Sequence, residues 1–153
     1  MDKTQKAKTW FLKTALSYLG TPYVWGGDDP SGFDCSGFVV ECLKSAGLTD
    51  EKEDFTAERL RKRFESYRIL KPRSGALLFS LNNKGRAFHV VICLDEFFQI
   101  GASGGGNKTT DPAAAWRDNA YIKIRPLRKD SGQYDIIDPF SNILNNKGRS
   151  FNT

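Results

Sequence analysis

Residues 23–38 read YVWGGDDPSGFDCSGF, a run in which a loop dense in glycine, aspartate and proline passes directly into a periodic apolar segment. Gly26, Gly27, Asp28, Asp29, Pro30 and Gly32 interrupt any regular element. Phe38, Val39, Cys42, Leu43 and Ala46 then recur on one side of a helix that Gly47 ends. The first turn of that helix falls on Asp34, Cys35 and Ser36, with Asp34 or Ser36 as the cap. A cysteine at such a junction meets free backbone N–H groups and the positive end of the helix dipole, both of which stabilise a thiolate. The expectation for Cys35 is therefore a lowered pKa and nucleophilic character. The same N–H groups can form an oxyanion hole. The competing reading, a small buried hydrophobe, is the usual state of a free cysteine, and it suits Cys42 and Cys93, which stand inside apolar runs.

On the N-terminal side, Ala7, Trp10, Phe11, Thr14, Ala15, Tyr18 and Leu19 fall at three-to-four spacing and predict an amphipathic helix over residues 4–19, stopped by Gly20 and Pro22. On the C-terminal side, a strongly basic helix is expected from Thr56 to about Tyr67, with Leu60 and Phe64 inward. After Pro72 the texture becomes extended. Residues 76–81, 88–94 and 97–100 are short apolar runs separated by turn-like sequence, and YIKIR at 121–125 alternates like a further strand. Helices first and antiparallel strands second imply an α+β domain. Its expected extent is residues 1–127, with 128–153 a C-terminal tail in which Ile136, Ile137 and Phe140 pack back.

The composition limits the chemistry. A chain of 153 residues can bury a core without staples, and three cysteines, an odd number, do not form a disulfide framework. With one histidine, any step that needs an imidazole must use His89, and no metal centre or organic cofactor is expected. His89 begins the run Val90-Val91-Ile92 just after a glycine-bearing turn. A base on a strand and a cysteine at a helix start form the arrangement that activates a thiol for acyl transfer. A lone histidine in a core or on a surface is the alternative. No signal peptide and no membrane-spanning segment are read from the sequence, so synthesis in the cytoplasm is expected, and a target outside that compartment would need another component for delivery or release.

YLGTPYVWGG at 18–27, FDCSGF at 33–38, and His89 leading an apolar strand into Ile100-Gly101-Ala102-Ser103 closely resemble the NlpC-type cell-wall peptidases, papain-like cysteine peptidases that cut peptidoglycan stem peptides. The resemblance covers roughly residues 5–127. It implies a central helix packed on an antiparallel sheet, with Cys35 as nucleophile and His89 as general base. It implies further that Tyr23 lines the site near the oxyanion hole. Asp34 and Ser36 would recognise the free amine of a stem peptide in relatives that cut between D-glutamate and the diamino acid. One position departs: the family's third polar residue, often histidine, falls on Gly101. Strand alternation puts Gln99 on the same face, so its amide is the first substitute for orienting His89, against an ordinary exposed strand residue.

Two other signals are set aside. GASGGGNKTT at 101–110 nearly reads as a phosphate-binding loop, but Asn107 spoils the spacing, and a loop edging the cleft is expected instead. The cluster Arg59, Arg61, Lys62, Arg63, Arg68, Lys71 and Arg73 reads as a solvated face, with attraction to an anionic polymer as the functional alternative. Trp10, Trp25 and Trp116 are expected in the core or cleft. The expected partner is peptidoglycan, with phage tail or other delivery proteins beside it. Neither nucleic-acid binding nor membrane insertion is expected. The alternative to an active peptidase is a catalytically impaired wall-binding or tail-assembly module of the same fold.

Overall fold

Asp2 opens the first helix. Its carboxylate accepts the Gln5 N–H while the Gln5 side chain accepts the Asp2 N–H, a reciprocal cap at the start of α1 (Lys3–Ser17). Phe11 and Ala15 form its buried stripe. The helix ends two residues before Leu19, in a turn through Tyr18 that closes on Gly20 at a φ of +84°. This computed structural model describes residues 1–29, 32–50, 55–127, 132–141 and 143.

Two short strands, β1 (Asp28–Asp29) and β2 (Gly32–Phe33), pair antiparallel and lead into α2 (Cys35–Ser45). Here the loop and the helix meet backbone to backbone: a Cβ on Gly37 would lie 2.1 Å from the Gly27 carbonyl oxygen. Thr56 then caps α3 (Ala57–Phe64), accepting the Arg59 N–H at 3.2 Å, and the stretch expected to continue as helix tightens into a 3-10 turn at Glu65–Tyr67.

The remaining elements are β3 (Arg68–Ile69), β4 (Leu77–Leu81), β5 (Ala87–Cys93), β6 (Phe98–Ser103), α4 (Pro112–Arg117), β7 (Tyr121–Pro126) and β8 (Gln133–Ile137). Six strands form one antiparallel sheet in the order β3-β8-β4-β5-β6-β7, and α2 packs on β5 and β6 while α3 packs on β5. The α+β architecture is as expected. Phe38, Val39 and Leu43 of α2 meet Leu77, Phe79, Val90, Ile92 and Ile100 in the main core, and each large side chain so buried contributes roughly 1.5–3 kcal/mol. A smaller cluster of Ala76, Leu78, Val91, Cys93 and Ile136 covers the opposite face.

Three expectations are corrected. The boundary at residue 127 is too early, because β8 is inserted between β3 and β4, with Leu77 opposite Ile137 on one side and Arg68 opposite Ile137 on the other. Ile136 and Ile137 do pack back, as part of a strand of the main sheet rather than a tail laid over it, and Phe140, in the turn that follows, packs edge-on against Phe11. The basic cluster is in part internal scaffolding: Arg61 pairs with Glu58 and, at 3.1 Å, with Asp135, Arg68 reaches Asp135 at 3.2 Å, and Arg73 holds Asp138 at 2.6 Å. These arginines tie α3 and the segment before β4 to β8. Trp10 and Trp116 are largely exposed rather than in the core; Trp25 is also exposed and lines the cleft described next.

Candidate active site

The Asp34 side chain accepts the Gly37 N–H at 2.7 Å and so caps α2, with the Ser36 hydroxyl donating to the same oxygen at 3.3 Å. The choice between Asp34 and Ser36 as cap is resolved in favour of Asp34. Cys35 is the first helical residue, and the backbone N–H groups of Val90, Ser36 and Cys35 itself are turned onto its sulfur. These donors favour the thiolate. Burial outweighs them, with the Asp34 carboxylate adding to it, and the Cys35 thiol is pushed up to about 11. The lowered pKa expected from the helix start is thus reversed: the sulfur loses more by leaving water than it gains from the amides around it.

His89 lines the same cleft as this sulfur, next to a flaw in the sheet. Ser80 pairs with His89 and Leu81 with Ala87, which leaves Phe88 as the extra residue of a bulge. The bulge changes the phase of β5, so that Ala87 and Val90, three residues apart, both belong to the core under the helices. Val90, immediately after His89, turns its N–H to Cys35. Burial first, and the nearby Arg125 guanidinium second, hold the His89 pKa below its ordinary value. Both groups are accordingly neutral at pH 7. The other anchor of the bulge is Glu58, whose carboxylate accepts the Ala87 N–H and the Arg61 guanidinium.

Cys35 and His89 line one cleft of about 890 Å³ together with Tyr23, Asp34, Ser36 and Gln99. All six residues singled out from the sequence therefore face a common cavity. Tyr23 is nearly buried, and its hydroxyl is pushed up by burial and then by Cys35 and Asp34. A Cβ on Gly105 would lie 2.1 Å from Cδ1 of Tyr23, so the glycine-rich loop lies against that ring and edges the cleft. Sequence reasoning missed Ser80 and Arg125, which also line the cleft. Arg125 stands out in YIKIR only as an outward member of an alternating strand, and its neighbours depend on a pairing that local sequence does not encode.

Residues 20–125 match the NlpC/P60 family. The chain belongs to that family. Protein P54 of Enterococcus faecium is 34% identical over 108 residues, covering 67% of this chain and 19% of that protein. A gamma-D-glutamyl-L-lysine dipeptidyl-peptidase of Bacillus cereus is 30% identical over 118 residues, 76% of this chain and 31% of that one. The chain thus spans about a fifth to a third of these relatives' length. The crystal structure of a P60 domain from an antigen of M. avium subspecies paratuberculosis superposes with a TM-score of 0.68 at 21% identity, over 90% of this chain and 97% of that chain, which shows the shared fold.

Within this NlpC/P60 frame the third position is sterically closed. A Cβ on Gly101 would lie 2.7 Å from Cγ1 of Val91, so the valine fills the space that a side chain at 101 would enter. Gln99 does not take over that place. It pairs with Cys93, four residues along β5 from His89, which is about 13 Å at the rise of a strand and too far for a direct hydrogen bond. Among the described residues the His89 ring has no hydrogen-bond partner, and the side chain directly across from it is Ser80.

Proposed function

We propose that this NlpC/P60 domain is a cysteine peptidase that hydrolyses a peptide or isopeptide bond in peptidoglycan stem peptides, with Cys35 as nucleophile and His89 as base. The observation that carries the reading is the convergence of the Cys35 sulfur, the Val90 N–H beside His89, and the N–H groups at the α2 terminus in one cleft. As both groups are neutral at rest, His89 takes the thiol proton as the sulfur attacks the carbonyl carbon, instead of holding a preformed ion pair. The backbone N–H groups of the first turn of α2 stabilise the oxyanion. His89 then returns the proton to the leaving amine, and water hydrolyses the thioester. The bond between D-glutamate and the diamino acid is favoured by the relatives' names, which include gamma-D-glutamyl-L-lysine dipeptidyl-peptidases and a bifunctional muramidase/DL-endopeptidase. Asp34 and Ser36, already bonded to each other at the rim of α2, line the end of the cleft next to Cys35 and suit recognition of a free amine.

Purified sacculi digested with the wild type, Cys35→Ala and His89→Ala, with soluble fragments read by mass spectrometry, test this reading. Fragments cut at one stem-peptide bond by the wild type, and by neither variant, are expected. The missing side chain at 101 and a His89 ring without a hydrogen-bond partner among the described residues favour one competing reading, an impaired wall-binding module. Wild type that pellets with sacculi yet releases nothing beyond Cys35→Ala would establish it.

A further inference from the structure

The segment of β5 that carries His89 lies outside the pairing of β5 with β6. That register covers Ile92 and Cys93, whereas β4 pairs with β5 from Leu77 opposite Ile92 to Leu81 opposite Ala87. Among the described strands, residues 87–91 thus have β4 as their one ladder partner, and the bulge at Phe88 falls within that stretch. A bulge interrupts the ladder and re-aims the side chains beside it. The direction of the His89 ring therefore depends on what else holds this segment.

Glu58 supplies that hold. It lies in the first turn of α3, is 6% exposed, and accepts through Oε2 the N–H of Ala87, the residue before the bulge. The same oxygen accepts Arg61 Nε at 3.2 Å, and Arg61 continues to Asp135 of β8 at 3.1 Å. A buried ionic chain of this kind gains little stability over apolar packing. What it does achieve is a fixed place for the Ala87 amide, two residues before His89.

We propose that Glu58 is a positioning residue for His89: held by Arg61, it pins the bulge of β5 so that the imidazole is presented to the cleft in the orientation that serves Cys35. The inference rests on the peptidase reading above for the role of His89, but the placement of the ring is measurable without turnover. Glu58 does not line the cleft; it acts through the backbone from Ala87 to His89.

Three variants and one control separate positioning from stability. Glu58→Met/Arg61→Met removes the buried pair as a whole, a replacement that apolar side chains of similar size make at little cost to folding, and it leaves the Ala87 N–H without its acceptor. Glu58→Asp keeps a charge for Arg61 but draws it back from Ala87. Glu58→Gln keeps an oxygen within reach of Ala87. Asp138→Ala breaks the Arg73–Asp138 pair, which has no part in the bulge, and is the destabilised control. On synthetic L-Ala-γ-D-Glu-diaminopimelate-D-Ala the double variant should lose about tenfold to a hundredfold in kcat with KM little changed, as a displaced catalytic group does. Glu58→Asp should lose less, and Glu58→Gln and Asp138→Ala should stay within about threefold of wild type.

His89 is the single histidine of the chain, so its imidazole gives one set of NMR signals whose titration reads the ring's surroundings. In the wild type, burial and then Arg125 hold the midpoint below the ordinary value. The double variant should bring it up towards that value and Glu58→Asp part of the way, while Asp138→Ala leaves it in place. A midpoint unmoved in both Glu58→Asp and the double variant overturns the proposal whatever happens to kcat, as does an equal shift in Asp138→Ala. An active wild type whose kcat survives in the double variant overturns it as well. A shift that spares Asp138→Ala, together with the fall in kcat or with a wild type that cuts nothing, upholds the positioning role, and in the second case the peptidase reading alone fails.

Discussion

The rate at which iodoacetamide modifies Cys35 should rise about tenfold per pH unit from pH 7 to pH 10 and level off near pH 11. The magnitude follows from the surroundings of the sulfur. With the thiol at about 11 rather than the usual 9.0, the thiolate fraction at pH 7 is about one in ten thousand instead of one in a hundred. A more basic thiolate is also a better nucleophile, by about eightfold over that interval. Together these leave Cys35 roughly tenfold slower at pH 7 than an unperturbed thiol. Cys42 and Cys93 have no exposed surface, so modification of the folded protein reports Cys35, and peptide mass spectrometry of timed aliquots gives the rate. His89→Ala should change that rate little below pH 9, because a neutral imidazole adds no field to hold a thiolate. A rate that is flat between pH 6 and pH 8, with an acidic inflection abolished in His89→Ala, would refute the reasoning. It would mean that a thiolate–imidazolium pair exists before substrate arrives and that the N–H groups from α2 and Val90 outweigh burial.

Two further predictions concern the scaffold. Gly101→His should lower the unfolding free energy by about 1–3 kcal/mol, because its Cβ meets Val91; adding Val91→Gly should recover part of the loss in chemical denaturation, and strictly additive effects would refute the steric account. Glu58→Ala should cost about 3 kcal/mol or more, since it leaves the buried Arg61 guanidinium with less compensation and the Ala87 N–H without its acceptor; a loss below about 1 kcal/mol by the same measurement would show that water replaces the carboxylate there.

The parts of the fold carried by local signals were legible in the sequence. Helix α2 is marked by a cap, a 3.6-residue stripe and Gly47 within one short segment, and β4 to β7 are apolar runs bounded by turns. Strand β8 is not marked in that way, because QYDII alternates weakly and owes its place to Leu77–Leu81 on one side and Arg68–Ile69 on the other. The same division holds in the cleft. Cys35, His89 and Tyr23 lie in recognisable local contexts, and the structure gathers them. The Cys35 pKa went the other way because helix position is local while burial is a property of the packed molecule. Gln99 was assigned to His89 by face alone, but face without register does not fix distance: pairing with Cys93 moves it along the strand to Arg125.

The seat of β8 between β3 and β4 has a kinetic consequence. During synthesis β4 and β5 are made about forty residues or more before β8, so the strand carrying His89 and its β4 neighbour wait with the Leu77–Leu81 edge unsatisfied. That edge is apolar, and an unpaired apolar edge can recruit another chain. Folding of this domain therefore completes late, by closure of a long loop, and a chain halted or cleaved before Gln133 presents an aggregating surface although the residues around Cys35 are all present.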